Sequence, residues 1–222
     1  MEKFLLLFDL DGTLVDSLPD LTNALNEVLH ERGYAPLLPQ DVKPMIGDGM
    51  PMLVARGFAA RGADAAEAKE AELRFLEFYE ANATHLTRPY PGVPETLTAL
   101  REHGYATAVC TNKLQRATAE VLNGMGLDGL FDGFAGGDRF AVRKPDPGHL
   151  LGMVGLLGGD PRRAAMIGDS ENDALSARAA PMPLILMRYG YARIDPAQLG
   201  ADRVLDSFDE LPQALAALGL TP

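Results

Sequence analysis

Five consecutive apolar residues, Phe4 to Phe8, run without a break into Asp9-Leu10-Asp11-Gly12-Thr13-Leu14-Val15-Asp16-Ser17. A short apolar run closed by a glycine-containing turn is the pattern of a strand buried on both faces of a parallel sheet. Ligands of open α/β sheets bind just beyond the carboxyl ends of such strands, and Asp9 and Asp11 fall there. Carboxylates at i and i+2 of a strand end can point the same way, while Gly12 lets the backbone turn back and present N–H groups. Such a cluster suits a hard cation and a phosphate. Asp and Gly also build ordinary acidic turns, so the reading depends on what lies downstream.

Leu18, Leu21, Leu25, Val28 and Leu29 recur at helical spacing, with Gly33 as a stop. A short helix is expected from Pro39 to Met45, a turn over Ile46-Gly47-Asp48-Gly49-Met50, and a helix from Met52 to Ala60. From Ala65 to about Ala83, residues Leu73, Phe75, Leu76, Phe78 and Tyr79 form a wide apolar stripe. Residues 16–87 thus read as an all-helical insertion without a strand. The Pro/Gly-rich break Arg88-Pro89-Tyr90-Pro91-Gly92 returns the chain to its main domain. From there strands at 105–110, 134–136, 164–167, 184–187 and 203–205 alternate with helices, one of them over 173–179 and the last over 208–218. That alternation predicts an α/β fold, a doubly wound (Rossmann-like) parallel sheet. The expected division is a discontinuous core of residues 1–15 and 88–222 and a helical cap of residues 16–87.

Composition narrows the function classes. With 20 Lys and Arg against 31 Asp and Glu, the 222-residue chain carries a net charge of −11, which repels nucleic acid and anionic membranes. No basic, aromatic-interleaved patch offsets it, so neither partner is expected. An apolar content of 47% excludes disorder and supports a sizeable core. The single Cys110 excludes an intrachain disulfide, fits a reducing cytoplasm and reads as a small buried hydrophobe. The apolar run after Met1-Glu2-Lys3 is too short for a signal-peptide core, and no run of about 18 apolar residues occurs elsewhere. A cytoplasmic monomer or homodimer is expected.

Three further polar groups follow expected strand ends or lie between them: Thr111-Asn112, Lys144-Pro145-Asp146, and Gly168-Asp169-Ser170-Glu171-Asn172-Asp173. By the strand-end rule these loops converge beside Asp9 and Asp11. Together they offer acidic ligands for a cation, a hydroxyl and amides for phosphate oxygens, and a fixed ammonium. In order and spacing, Asp9-x-Asp11-Gly12-Thr13, Thr111-Asn112, Lys144-Pro145 and Gly168-Asp169-x-x-x-Asp173 resemble the motifs of the haloacid dehalogenase-like (HAD) hydrolase superfamily. The likeness covers essentially the whole chain, with the insertion at the position of that family's helical cap. Thr13 leans toward phosphatases, and Asp11 leans against the dehalogenase branch, which lacks this second aspartate. Asp16-Ser17, Ile46-Gly47-Asp48-Gly49, Tyr189-Gly190-Tyr191 and Ala201-Asp202-Arg203-Val204-Leu205 resemble the phosphoglycolate phosphatase group in particular. Pro181 departs from that pattern, where relatives commonly carry glycine.

The resemblance implies a Mg²⁺-dependent phosphatase for a small phosphate monoester, with 2-phosphoglycolate favoured and an aspartyl-phosphate intermediate. It implies that Asp9 is the nucleophile and Asp11 the acid and base toward leaving group and water. Mg²⁺ would be held by the Asp9 and Asp169 carboxylates and the Asp11 main-chain carbonyl. Thr111, with the Asn112 and Gly12 amides, would bind phosphoryl oxygens, and Lys144 would offset transition-state charge. Ser170 and Asp173 would orient Lys144 or metal-bound water. Arg56 is a lesser candidate for a substrate carboxylate. His30, His85, His103 and His149 match no catalytic position, and Met45, Met50 and Met52 read as cap packing. Alternatives are a phosphatase for another small ester, a β-phosphoglucomutase-like phosphotransferase, and a non-catalytic binding protein on the same scaffold.

Overall fold

The computed structural model describes residues 3–222. Its strands are β1 (Leu5–Phe8), β2 (Val15–Asp16), β3 (Arg88–Pro89), β4 (Ala106–Cys110), β5 (Gly133–Ala135), β6 (Ala164–Gly168), β7 (Leu184–Met187) and β8 (Arg203–Leu205). Its α-helices are α1 (Leu18–His30), α2 (Pro39–Val42), α3 (Met50–Ala59), α4 (Ala65–Asn82), α5 (Val93–Glu102), α6 (Gln115–Gly124), α7 (Pro147–Leu156), α8 (Glu171–Ala179) and α9 (Leu211–Ala217).

Six strands form one parallel sheet in the order β5-β4-β1-β6-β7-β8, with Leu7 paired to Ala108 on one side and to Met166 on the other. The chain leaves β1 for β4 and β5 and then crosses back over it to β6, so the order reverses at β1. A crevice opens above the carboxyl end of a strand at such a reversal. Side chains of β1 alternate between two apolar layers, which is why the whole run is apolar. Leu6 and Phe8 pack with Leu97 of α5, Val121 of α6 and Leu215 of α9, while Leu5 and Leu7 pack with Met153 of α7 and Ala177 of α8. Full burial of each large apolar side chain contributes roughly 1.5–3 kcal/mol. The sheet therefore holds the loops after β1, β4 and β6 on a rigid floor.

Helices α1 to α4 form the cap between β2 and β3, a doubly wound α/β core with a helical insertion as expected. The absence of any strand from 16 to 87 is corrected at one edge: Val15–Asp16 and Arg88–Pro89 form a two-residue antiparallel ladder joining the two linkers. Buried Asp20 reinforces that clasp by accepting bonds from Leu86 N–H, Thr87 N–H (2.7 Å) and the Thr87 hydroxyl (2.8 Å). Tyr191 adds a third tie: its hydroxyl donates to Asp16 Oδ1 (2.6 Å) and accepts from the Ser17 and Leu18 N–H groups at the start of α1. The helix expected to begin at Asp173 begins at Glu171, and the last one divides into a 3₁₀ turn, Phe208–Glu210, and α9. No described helix is long and apolar enough to cross a membrane.

Candidate active site

Because Asp9 follows the last residue of β1, its side chain stands at the switch point, 7% exposed. Its Oδ1 accepts from the Leu10 N–H (2.7 Å) and lies 3.0 Å from Lys144 Nζ. Its Oδ2 has no hydrogen-bond partner among the described residues. Burial, together with Asp173 and Asp11, pushes the Asp9 carboxyl up to about 6 despite the opposing charge of Lys144.

The loop after β6 supplies Asp169 and Asp173. Asp169 accepts from Thr13 Oγ1 (2.8 Å) and the Tyr191 N–H (2.6 Å). Burial first, then Asp173 and Asp9, raise its carboxyl well above the usual range. Gly12, at φ 86°, makes room for it, since a Cβ there would stand 2.5 Å from Asp169 Oδ2. Gly190 does the same from the other side, with a Cβ position 2.2 Å from Asp169 Cβ. Asp173 sits in the first turn of α8, where its Oδ2 accepts from the Asp169 and Ser170 N–H groups and the Ser170 hydroxyl. Its Oδ1 takes Lys144 Nζ at 2.6 Å. These bonds explain the earlier start of α8: a carboxylate that collects the free N–H groups opens a helix without apolar periodicity.

Lys144, 2% exposed, thus bridges Asp9 and Asp173. Thr111 and Asn112 follow β4 and are both buried. Asn112 Nδ2 donates to Lys144 O (2.9 Å) and to Gly47 O of the cap (3.0 Å). The expected Gly12 amide contact is not free: the Gly12 N–H donates to Val15 O at 2.9 Å, closing the turn. Pro181 lies in the turn from α8 into the amino end of β7, on the edge of the sheet opposite these carboxylates.

Lys113, next to Asn112, was not among the expected site residues. Its Nζ lies 2.9 Å from Asp11 Oδ2, donates to the Tyr79 hydroxyl of α4 at 2.8 Å, and sits 4.5 Å from the centre of the Tyr79 ring. Burial pulls its pKa down, but Asp11 and Tyr79 outweigh that and hold it above the ordinary lysine value. The Asp11 Oδ1 accepts from Ser17 Oγ at 2.6 Å. The position after Thr111-Asn112 was the only sequence signal for this lysine.

The Ile46–Met50 turn docks the cap on the core. Asp48 accepts from Asn172 Nδ2 (2.6 Å) and Arg193 (2.9 Å) and pairs with Arg56 (2.5 Å). Burial alone would raise the Asp48 carboxyl; those three donors bring it down to about 2. Between cap and core lies a cavity of about 50 Å³, with Asp9, Asp11, Thr111, Asn112 and Lys113 on one wall and Ile46, Met50, Leu53, Phe75 and Tyr79 on the other.

Asp9, Asp169 and Asp173 each present an oxygen within 4.8 Å of the others. Counting Asp11, four carboxylates face two ammonium groups, an imbalance a divalent cation would cancel, and all-oxygen donors suit a hard one. The residues present therefore fit a metal ion. Within this trio Asp173 is saturated by its N–H, hydroxyl and ammonium donors.

His149 of α7 is buried, with Nε2 3.2 Å from Gly136 O and Nδ1 unpartnered among the described residues. Burial, and then the charge of Lys144, lower its pKa to about 4. Below pH 6.5 the unfolded chain takes up a proton that the folded form refuses until about pH 4, so this group withdraws stability as pH falls through that window. Raised carboxyls such as Asp9 act with the opposite sign, so the difference between proteins is the readout. Urea unfolding at pH 7, 6 and 5 should give wild type a slope steeper than His149→Phe by up to about 1.4 kcal/mol per pH unit. Parallel slopes would exclude His149 as the source.

A family model described as haloacid dehalogenase-like hydrolase matches residues 6–187. A phosphoglycolate phosphatase of Caulobacter vibrioides is 44% identical over 213 residues, 95% of this chain and 90% of that one. One of Agrobacterium fabrum is 42% identical over 213 residues, 95% of this chain and 91% of its own. The solved structure of a predicted phosphoglycolate phosphatase from Haemophilus somnus superposes with a TM-score of 0.90 at 33% identity, covering 96% of this chain and 98% of that one. Sequence, fold and the arrangement of carboxylates around β1 agree, and the chain belongs to the haloacid dehalogenase-like hydrolases.

Proposed function

We propose that this chain, a phosphoric monoester hydrolase by family, hydrolyses a small phosphate monoester, 2-phosphoglycolate in preference, through an aspartyl-phosphate on Asp9. The reading is carried by Asp9 itself: a carboxylate at the sheet's switch point, one oxygen fixed by Lys144 and the Leu10 N–H and the other unpartnered. Residues 1–15 and 88–222 carry the chemistry, and residues 16–87 act as a cap that selects the substrate by closing over it. The names of the relatives favour the small phosphorylated acid.

Asp9 Oδ2 attacks phosphorus, and the bond from phosphorus to the ester oxygen breaks. Asp11 gives a proton to the departing alkoxide, then as a carboxylate accepts one from the water that displaces Asp9 from phosphorus. Splitting the hydrolysis in this way replaces one hard displacement by two easier ones. Thr111 and Asn112 bind phosphoryl oxygens, Lys144 offsets the charge that builds in the transition state, and Ser170 and Asp173 hold Lys144 in place. Gly12 contributes space beside Asp169. Mg²⁺, held by the Asp9 and Asp169 carboxylates and the Asp11 main-chain carbonyl, would neutralise phosphoryl charge when bound. The single buried Cys110 fits action in a reducing cytoplasm.

The test is phosphate release from a panel of small phosphate esters, with Mg²⁺ and with a chelator. Cation-dependent release with a clear preference for 2-phosphoglycolate is expected. Comparable rates across the panel would overturn the substrate, and release that survives chelation would overturn the role of the metal.

A further inference from the structure

Lysine and arginine are nearly absent from the cavity between cap and core. Among the described residues, Lys113 is the one side chain of either type on its wall. Lys144 stands behind Asp9, bonded to two carboxylates, and Arg56 is tied to Asp48 and to Met45 O (2.8 Å). Lys113 Nζ carries three N–H donors, and the structure places two of them, on Asp11 Oδ2 and on the Tyr79 hydroxyl. The third has no partner among the described residues. A buried ammonium with an unused donor favours an anionic acceptor, because a charge taken out of water is costly unless it is paired and hydrogen-bonded. The other cap side chains on the wall, including Ile46, Leu53 and Phe75, are apolar and carry no charge to meet an anion.

We propose that Lys113 is the specificity-determining residue of this site, binding the carboxylate of the leaving group so that phosphate monoesters of small hydroxy acids are chosen over those of neutral alcohols of the same size. This rests on the phosphatase reading above and adds to it the group that recognises the alcohol side. The ammonium then bridges Asp11 and the substrate carboxylate, which draws the ester oxygen toward Asp11. Tyr79 fixes the ammonium from the cap, so recognition is complete only when cap and core are together. A substrate without the negative group leaves the third donor unpaired, and a site built around a buried polar group rejects such an analogue strongly.

Two arms separate this inference from the reading it rests on. In the kinetic arm, wild type and Lys113→Gln, which keeps a donor but not the charge, are compared on 2-phosphoglycolate and on its near-isostere 2-hydroxyethyl phosphate, in which a neutral hydroxymethyl group replaces the carboxylate. The variant should lose about 10- to 100-fold in kcat/KM on the first, mainly through KM, and much less on the second. Equal losses on both would overturn the specificity role and leave Lys113 as a support for Asp11. Failure of wild type to hydrolyse either would overturn the phosphatase reading. In the binding arm, the same two esters are titrated calorimetrically into Asp9→Asn and Asp9→Asn/Lys113→Gln with Mg²⁺ present. A 10- to 100-fold loss for 2-phosphoglycolate alone supports the inference whatever the turnover, and unchanged affinity overturns it. Lys113→Arg, which retains the charge, should recover part of the preference; a variant no better than Lys113→Gln would argue against a charge-based role.

Discussion

Asp9→Asn should abolish turnover, lowering kcat on the order of 10⁴-fold or more, as expected when a covalent nucleophile is removed. An amide is isosteric with the carboxylate but lacks the charge that makes it nucleophilic. Its Oδ1 can still accept from the Leu10 N–H and face Lys144, so the fold has no reason to change. Stability should move the other way. Burial pushes the Asp9 carboxyl up to about 6 from its ordinary value of 3.8, so its charged form opposes folding once pH rises through that interval, and at pH 7 the opposition is complete. Removing the charge in a chelator should therefore hold or raise Tm. Activity lost with Tm unchanged or higher assigns Asp9 to the reaction; activity lost with a large fall in Tm assigns the effect to damage. An Asp9→Asn protein that keeps even a tenth of wild-type turnover would remove Asp9 as the nucleophile.

What the sequence shows of this molecule depends on how local the cause is. The strands β7 and β8 occur over the residues expected, because a buried parallel strand is an apolar run and the run is visible. The acidic and basic groups after β1, β4, β5 and β6 converge because strand order decides where loops meet, and alternation of strand and helix is itself a sequence pattern. The two-residue β2–β3 ladder is different. It is too short to show a period of two, contains Pro89, and pairs residues more than seventy positions apart. Lys113 stayed hidden for a related reason: its partners Asp11 and Tyr79 come from another strand end and from the cap, so its role exists only once the cap is seated. The Gly12 amide shows the converse failure. A glycine turn promises free N–H groups, but here the turn closes on Val15 O and the glycine serves Asp169 by lacking a side chain.

The second large effect is expected at Lys144, where stability and chemistry fall together. Its side chain is 1% exposed and stands 2.6 Å from Asp173 Oδ1 and 3.0 Å from Asp9 Oδ1. Removing one member of a buried ionic group leaves the others uncompensated, at about 3–5 kcal/mol. Lys144→Met, which retains the aliphatic bulk, should lose about that much in urea unfolding without divalent cation. Turnover should fall about 10²–10³-fold, the scale for deleting one group aimed at developing negative charge. Both carboxylates then lack their counter-ion, so added Mg²⁺ should raise the Tm of the variant more than that of wild type. The second substitution Asp173→Asn discharges the carboxylate that Lys144 held most closely. The double variant should therefore be more stable than Lys144→Met alone, a coupling that independent sites do not show. Additive losses in that cycle, with equal Mg²⁺ shifts in every protein, would mean that Lys144 stabilises the fold through packing, and the charge balance drawn around Asp9 would be wrong.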